Sequence, residues 1–138
     1  MAVTLSAEEL AAIRDATRAW TWGVTVFVAA MPSARQRWAQ SLVGCAMDYA
    51  IVGNAHELAA LLAGGDVRAV VIDADACPSG GLPELTVARA RGPLDLPRVV
   101  IASAPTRRHV VSCVAAGATD YVAKPVEVEA LFDRLARA

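Results

Sequence analysis

Few side chains in this 138-residue chain join a reactive group to a position that could use it. Asp73 closes the apolar run Ala69-Val70-Val71-Ile72, Ser103 follows the run Val99-Val100-Ile101, and Lys124 follows Tyr121-Val122-Ala123 and precedes Pro125. A carboxylate, a hydroxyl and an ammonium brought together can form a static ion pair that fixes two strand ends, worth about 0 to 1 kcal/mol when solvated. In that reading Ser103 only ties down a backbone group. The trio is also the only reacting set on offer. There is no glycine-rich phosphate loop, no GxSxG elbow and no His/Cys cluster, so the chain is not read as an enzyme; a small enzyme on the same scaffold is the least favoured alternative.

Other titratable groups are dispersed. Asp75 lies on the same side of an extended chain as Asp73 and could replace or assist it. Cys45, Cys77 and Cys113 are odd in number, widely spaced and without a CxxC pair, which argues against a disulfide framework or a zinc site and for free thiols. Nothing basic beside Cys77 in the sequence lowers its pKa, so a redox role is disfavoured. His56 and His109 read as surface residues, and Arg107-Arg108 as a solvated basic helix start that could contribute to a docking face. With 13 basic and 14 acidic residues spread along the chain, no broad field attracts nucleic acid or an anionic membrane. The run Val26 to Met31 is too short to span a bilayer and Met1 to Leu10 lacks a basic n-region, so a cytoplasmic location is expected.

The elements that must position the trio follow from the order of apolar runs and punctuation. The 56 % hydrophobic content and the length suit one aliphatic core. Ser6-Ala7-Glu8-Glu9 is a capping-box pattern leading into a stripe of Leu10, Ile13, Thr17 and Trp20, which predicts a helical extension over 1–22 that packs on its own domain or offers Trp20 and Trp22 to a partner. From Gly23 to Ala138 five strand-helix units are predicted. They are Val24 to Val28 with a helix from about Ala34 to Met47 carrying Trp38, Leu42 and Cys45; Tyr49 to Val52 with a helix opened by Asn54 and carrying Leu58, Leu61 and Leu62; and Ala69 to Asp73 with a helix from Pro83 to about Arg91. Val99 to Ile101 is followed by a helix from about Thr106 carrying Val110, Val111 and Val114, and Asp120 to Ala123 by one carrying Val128, Leu131, Phe132 and Leu135. Such alternation implies a doubly wound α/β fold with a parallel sheet, whose carboxyl edge gathers Ala29, Ala30, Asp73, Ser103 and Lys124.

The stretches VVIDADACP, VVIASA and AAGATDYVAKP resemble the receiver domain of two-component response regulators over about residues 23–138. The resemblance implies a flavodoxin-like five-stranded sheet in the order 2-1-3-4-5. It gives Asp73 the place of the phosphoacceptor, with Asp75 as the alternative. Lys124 then stabilises the phosphoryl group, Ser103 is the hydroxyl that closes on it, Tyr121 is the aromatic that changes rotamer with the hydroxyl, and Lys124-Pro125 is a cis peptide. Two departures stand out. Ala29 and Ala30 occupy the place of the acidic pair that holds magnesium, and two methyl groups cannot ligate a hard cation. Pro78 follows Asp73 by five residues where four is usual, which implies a loop one residue longer. The expectation is a pseudo-receiver in phosphorelay signalling that binds magnesium weakly or not at all and acts by protein-protein interaction. Its expected face is the fourth helix, last strand and fifth helix, roughly residues 106–138, with a homodimer as one form; a phospho-accepting receiver is the alternative.

Overall fold

The computed structural model describes residues 6–9, 23–45 and 47–137. Ser6 and Glu9 make the reciprocal bonds of a capping box, with the Glu9 N–H donating to Ser6 Oγ at 3.1 Å and the Ser6 N–H to Glu9 Oε1 at 3.4 Å. The stripe Leu10, Ile13, Thr17 and Trp20, and Trp22 with it, lie outside the described residues.

Five strands follow, β1 (Val24–Val28), β2 (Tyr49–Val52), β3 (Val67–Asp73), β4 (Arg98–Ala102) and β5 (Asp120–Ala123). They alternate with α1 (Pro32–Ser41), α2 (Ala55–Ala63), α3 (Leu82–Arg91), α4 (Arg107–Ala116) and α5 (Val128–Arg137). Every pairing is parallel and the order is β2-β1-β3-β4-β5. A two-residue period explains the layering, since successive strand side chains face opposite sides of the sheet. Val26, Val28, Val70 and Ile72 pack with Leu58, Leu62, Leu85 and Cys113 from α2, α3 and α4. Phe27, Ala69, Val71 and Ile101 pack instead with Leu42, Leu131, Phe132 and Leu135, next to α1 and on α5. Burial on both faces is why the central strands are continuous aliphatic runs. Asp73 shares the parity of Ala69 and Val71, so its carboxylate emerges on the side of α1. The register Val28↔Ile72, Asp73↔Ile101 and Ala102↔Ala123 lines the strand ends along one edge.

Local signals act as their chemistry dictates. Asn54 accepts from the Glu57 N–H at 2.8 Å and Thr106 from the His109 N–H at 3.1 Å, capping α2 and α4. Gly117, at φ 112°, ends α4 in the left-handed region.

Three sequence expectations need correction. The first helix begins at Pro32 and stops at Ser41, short of Met47; the Cys45 N–H turns back to Leu42 O at 3.0 Å after Gly44 at φ 79°, so Cys45 leaves the helical stripe. In α4 the inward residue is Cys113, whereas Val111 and Val114 are 58 % and 59 % exposed. In α2 Leu58 and Leu62 point inward, and Leu61 lies at the surface. In these two helices the apolar residues outnumber the buried positions, so hydrophobicity alone did not fix the face. None of the described helices is long and apolar enough to cross a membrane.

Candidate functional site

Asp73 ends β3 just where α1 crosses the carboxyl edge, and it is 3 % exposed. Both its oxygens are engaged. Lys124, immediately after β5, places Nζ 2.7 Å from Oδ1, and the indole Nε1–H of Trp38 on α1 donates to Oδ2 at 2.9 Å. Trp38 sits one helical turn after Ala34, on the face that meets the tip of β1. There the methyl groups of Ala29, Ala34 and Ala76 are buried against the Trp38 ring. The ring also stacks on Phe27 with centroids 4.9 Å apart.

Asp75 lies two residues beyond Asp73 in a short 3₁₀ turn (Ala74–Ala76), followed by a second (Pro78–Gly81). The second turn carries three consecutive residues at positive φ, Ser79, Gly80 and Gly81. Asp75 remains accessible, and its Oδ2 is 3.0 Å from Lys124 Nζ. The same oxygen accepts the Ser103 backbone N–H at 3.0 Å. Burial raises the pKa of Asp75, but the Lys124 ammonium and the Ser103 hydroxyl and amide outweigh it and leave the carboxyl below its ordinary value. Lys124 is pulled down by burial and raised more by Asp73 and Asp75, ending above its ordinary value. Two carboxylates against one ammonium leave the cluster with one net negative charge.

The tip of β1 is unsuited to a divalent cation. Ala29 is fully buried, and its carbonyl and that of Ala30 accept from Arg35 Nη1 at 3.1 and 2.8 Å. The nearby Ala76 carbonyl accepts the N–H groups of Ala30 and Met31 at 2.9 and 3.1 Å. Magnesium requires an octahedron of hard oxygens; here the side chains of Ala29 and Ala30 are methyl groups, their carbonyls are bonded, and a guanidinium already brings positive charge. Among the described residues no group of three or more His, Cys, Asp or Glu side chains is arranged to hold a metal ion.

Asp73, Asp75, Ser103 and Lys124 therefore converge, and the Lys124-Pro125 bond is cis. Pro125 lines a cleft of about 410 Å³ with Trp38, Ser103, Lys124 and Val126. Tyr121 is placed differently. Its hydroxyl lies 2.6 Å from His109 Nδ1 on α4, and His109 Nε2 lies 3.0 Å from the Gly80 carbonyl. Since a carbonyl only accepts, Nε2 carries the proton and Nδ1 accepts from the Tyr121 O–H. Burial raises the phenol's pKa, with further contributions from Cys113 and Asp75. His109 is thus not the surface residue its sequence context suggests, whereas His56 is exposed. Cys77 is buried, and burial pushes its pKa up to about 11.

Two side chains with contacts in this region escaped the sequence reading. Trp38 looked like one apolar member of a helical stripe; its spacing of four from Ala34, over the same strand tip as Ala29, was the available clue. His109 gave none, because Tyr121 and Gly80, which it joins, are 12 and 29 residues away.

Comparison by sequence and by structure relates the chain to known proteins only through its fold. No protein-family model matches it, and no curated protein matches it by sequence. By structure it is similar to the chemotaxis protein CheY4 of Vibrio cholerae, at 18 % identity and a TM-score of 0.70 over 85 % of this chain and 98 % of that one. It is also similar to a response regulator protein from Burkholderia pseudomallei, solved with a phosphorylated aspartic acid and a calcium ion, at 18 % identity and a TM-score of 0.69 over 82 % and 66 %. A third likeness is to the Saccharomyces cerevisiae complex of the histidine phosphotransfer protein Ypd1 with the receiver domain of the response regulator Ssk1, at 15 % identity and a TM-score of 0.66 over 84 % and 88 %. The fold is that of response regulator receiver domains, with the sheet order expected for it.

Proposed function

We propose that this chain is a pseudo-receiver, a receiver-type module of two-component signalling that works by binding proteins and has given up magnesium-dependent phosphorylation. The observation that carries this reading is the closure of Asp73. A phosphoacceptor must present a carboxylate oxygen to an incoming phosphoryl group, whose negative charge a metal ion helps to neutralise. Here one oxygen is held by Trp38 and the other by Lys124, the carboxylate is buried, and hydrocarbon fills the place of the acidic pair. The cluster's net negative charge also disfavours an anionic donor.

The docking face follows from what the fold leaves outside. On α4 the exposed Val111 and Val114 lie beside Arg107 and Arg108, and the approach to α5 exposes Glu127, whereas Glu129 and Asp133 lie on the other flank of α5, beside Ser41 and Gly44. A partner protein with an apolar centre and mixed charge at its rim fits this face, and a second copy, aligning α4 of one with α5 of the other, is one such partner. A cytoplasmic, non-enzymatic role belongs to the same reading.

The test is intact-mass measurement after incubation with acetyl phosphate and magnesium. An unchanged mass is expected; addition of one phosphoryl group, abolished by Asp73→Asn, sinks the proposal. A second reading rests on the accessibility of Asp75 and its contact with Lys124, which make it the better exposed nucleophile. A phosphoryl group lost in Asp75→Asn and kept in Asp73→Asn would establish that alternative.

A further inference from the structure

We propose that Asp75 is a resident anion, seated on Lys124 and the Ser103 amide, which fixes the β4–α4 connection without any covalent modification. The inference rests on the pseudo-receiver reading and adds how such a module keeps its α4 face in order. Four observations converge on it. Asp75 Oδ2 is 3.0 Å from both Lys124 Nζ and the Ser103 nitrogen, so one oxygen bridges the end of β5 to the loop after β4. Its other oxygen lies 3.3 Å from the same amide. The carboxylate is drawn to this seat by charge-assisted bonds, and those are stronger than neutral ones. Finally, Ser103 stands three residues before Thr106, the N-cap of α4, in the short loop that leads into that helix.

The first 3₁₀ turn (Ala74–Ala76) lies between Asp73 and Pro78 and carries Asp75 to the seat. Lys124 meanwhile keeps its bond to Asp73, so one ammonium serves a buried carboxylate and an accessible one at once. The Asp75 anion is supplied by the fold and is always present. The β4–α4 loop is therefore held closed in the resting protein, and α4 shows its outer face constitutively.

Amide hydrogen exchange at Ser103, measured on the full chain in phosphate-free buffer, tests the idea. In Asp75→Ala, loss of a bond to a charged acceptor is expected to speed exchange at Ser103 about tenfold to a hundredfold. Asp75→Asn, which keeps an acceptor oxygen but no charge, should give a smaller acceleration. Millimolar inorganic phosphate should slow exchange again in Asp75→Ala, by filling the emptied seat, and leave the wild type unchanged. Equal exchange in all three proteins overturns the proposal, as does an acceleration that phosphate fails to reverse or a phosphate response equally large in the wild type. Amides of the central β3 strand, which should exchange alike in the three proteins, report whether the variants are folded. No phosphodonor is present, so this outcome is independent of the mass measurement that decides whether the module is a pseudo-receiver.

Discussion

Replacing Trp38 with phenylalanine isolates the contact that closes Asp73. The phenyl ring keeps the stack on Phe27, whose centroid lies 4.9 Å from that of Trp38, and deletes the N–H that reaches Asp73 Oδ2 at 2.9 Å. Asp73 is 3 % exposed, so water cannot readily take over the bond. A hydrogen bond to a charged group contributes about 1.5 to 3 kcal/mol, and an orphaned buried acceptor costs a similar amount. A loss near 2 kcal/mol in a chain of this size lowers Tm by about 7 °C. Because the smaller ring also leaves a gap, the substitution is best made twice, in the wild type and in Asp73→Ala, where Lys124 retains Asp75 as its partner. The difference between the two costs is the coupling of indole to carboxylate. Urea unfolding followed by circular dichroism measures both. A coupling of about 1.5 to 3 kcal/mol is expected; one below about 0.5 kcal/mol would mean that Trp38 packs near Asp73 without holding it.

Ala29→Asp is expected to cost several kcal/mol, because it puts an unpaired carboxylate among the buried methyl groups of Ala34 and Ala76, whereas Ala30→Asp, partly exposed and close to Arg35, should be nearly neutral; thermal melts distinguish them. The acid limb of stability should come in part from Asp75 and Asp120, whose pKa values lie below the ordinary 3.8, the latter chiefly through Arg134. Their contribution is complete above that value and fades as pH falls through their depressed pKa values; that of Lys124, raised above 10.5, is complete below that value and fades as pH rises further. Urea midpoints measured across pH should therefore show a plateau that declines at both extremes. At neutral pH Cys77, with its pKa near 11 against an ordinary 9.0, should hold about a hundredfold less thiolate than an unperturbed thiol, and react with a disulfide reagent at least that much more slowly. Gly80→Ala should destabilise by about 1 to 3 kcal/mol and broaden the Tyr121 ring resonances, since Gly80 holds φ 62° and a Cβ there would collide with His109 Nε2.

The sheet was legible because its grammar is local. Each central strand is an aliphatic run bounded by a turn residue, and Asp120 to Ala123 was placed to the residue. Asp73 and Lys124 were legible because each ends such a run. The end of α1 was not, because Leu42 and Cys45 continue a helical spacing that the turn at Gly44 breaks. Val111 and Val114 misled because a helix with more apolar residues than its inner face can take leaves some outside. Trp38 and His109 were invisible in their roles, since a side chain that finds its partner across the fold leaves no mark on its sequence neighbours.

His109 spans three separate pieces of chain, the loop after β3, α4 itself and β5, through one small ring. A tilt of α4 large enough to break either bond would also pull on the Gly80 carbonyl or release the Tyr121 hydroxyl. A load on α4 is thus shared through one imidazole with the loop after β3 and with the strand that leads to Lys124, while Asp73 itself stays enclosed between Trp38 and Lys124.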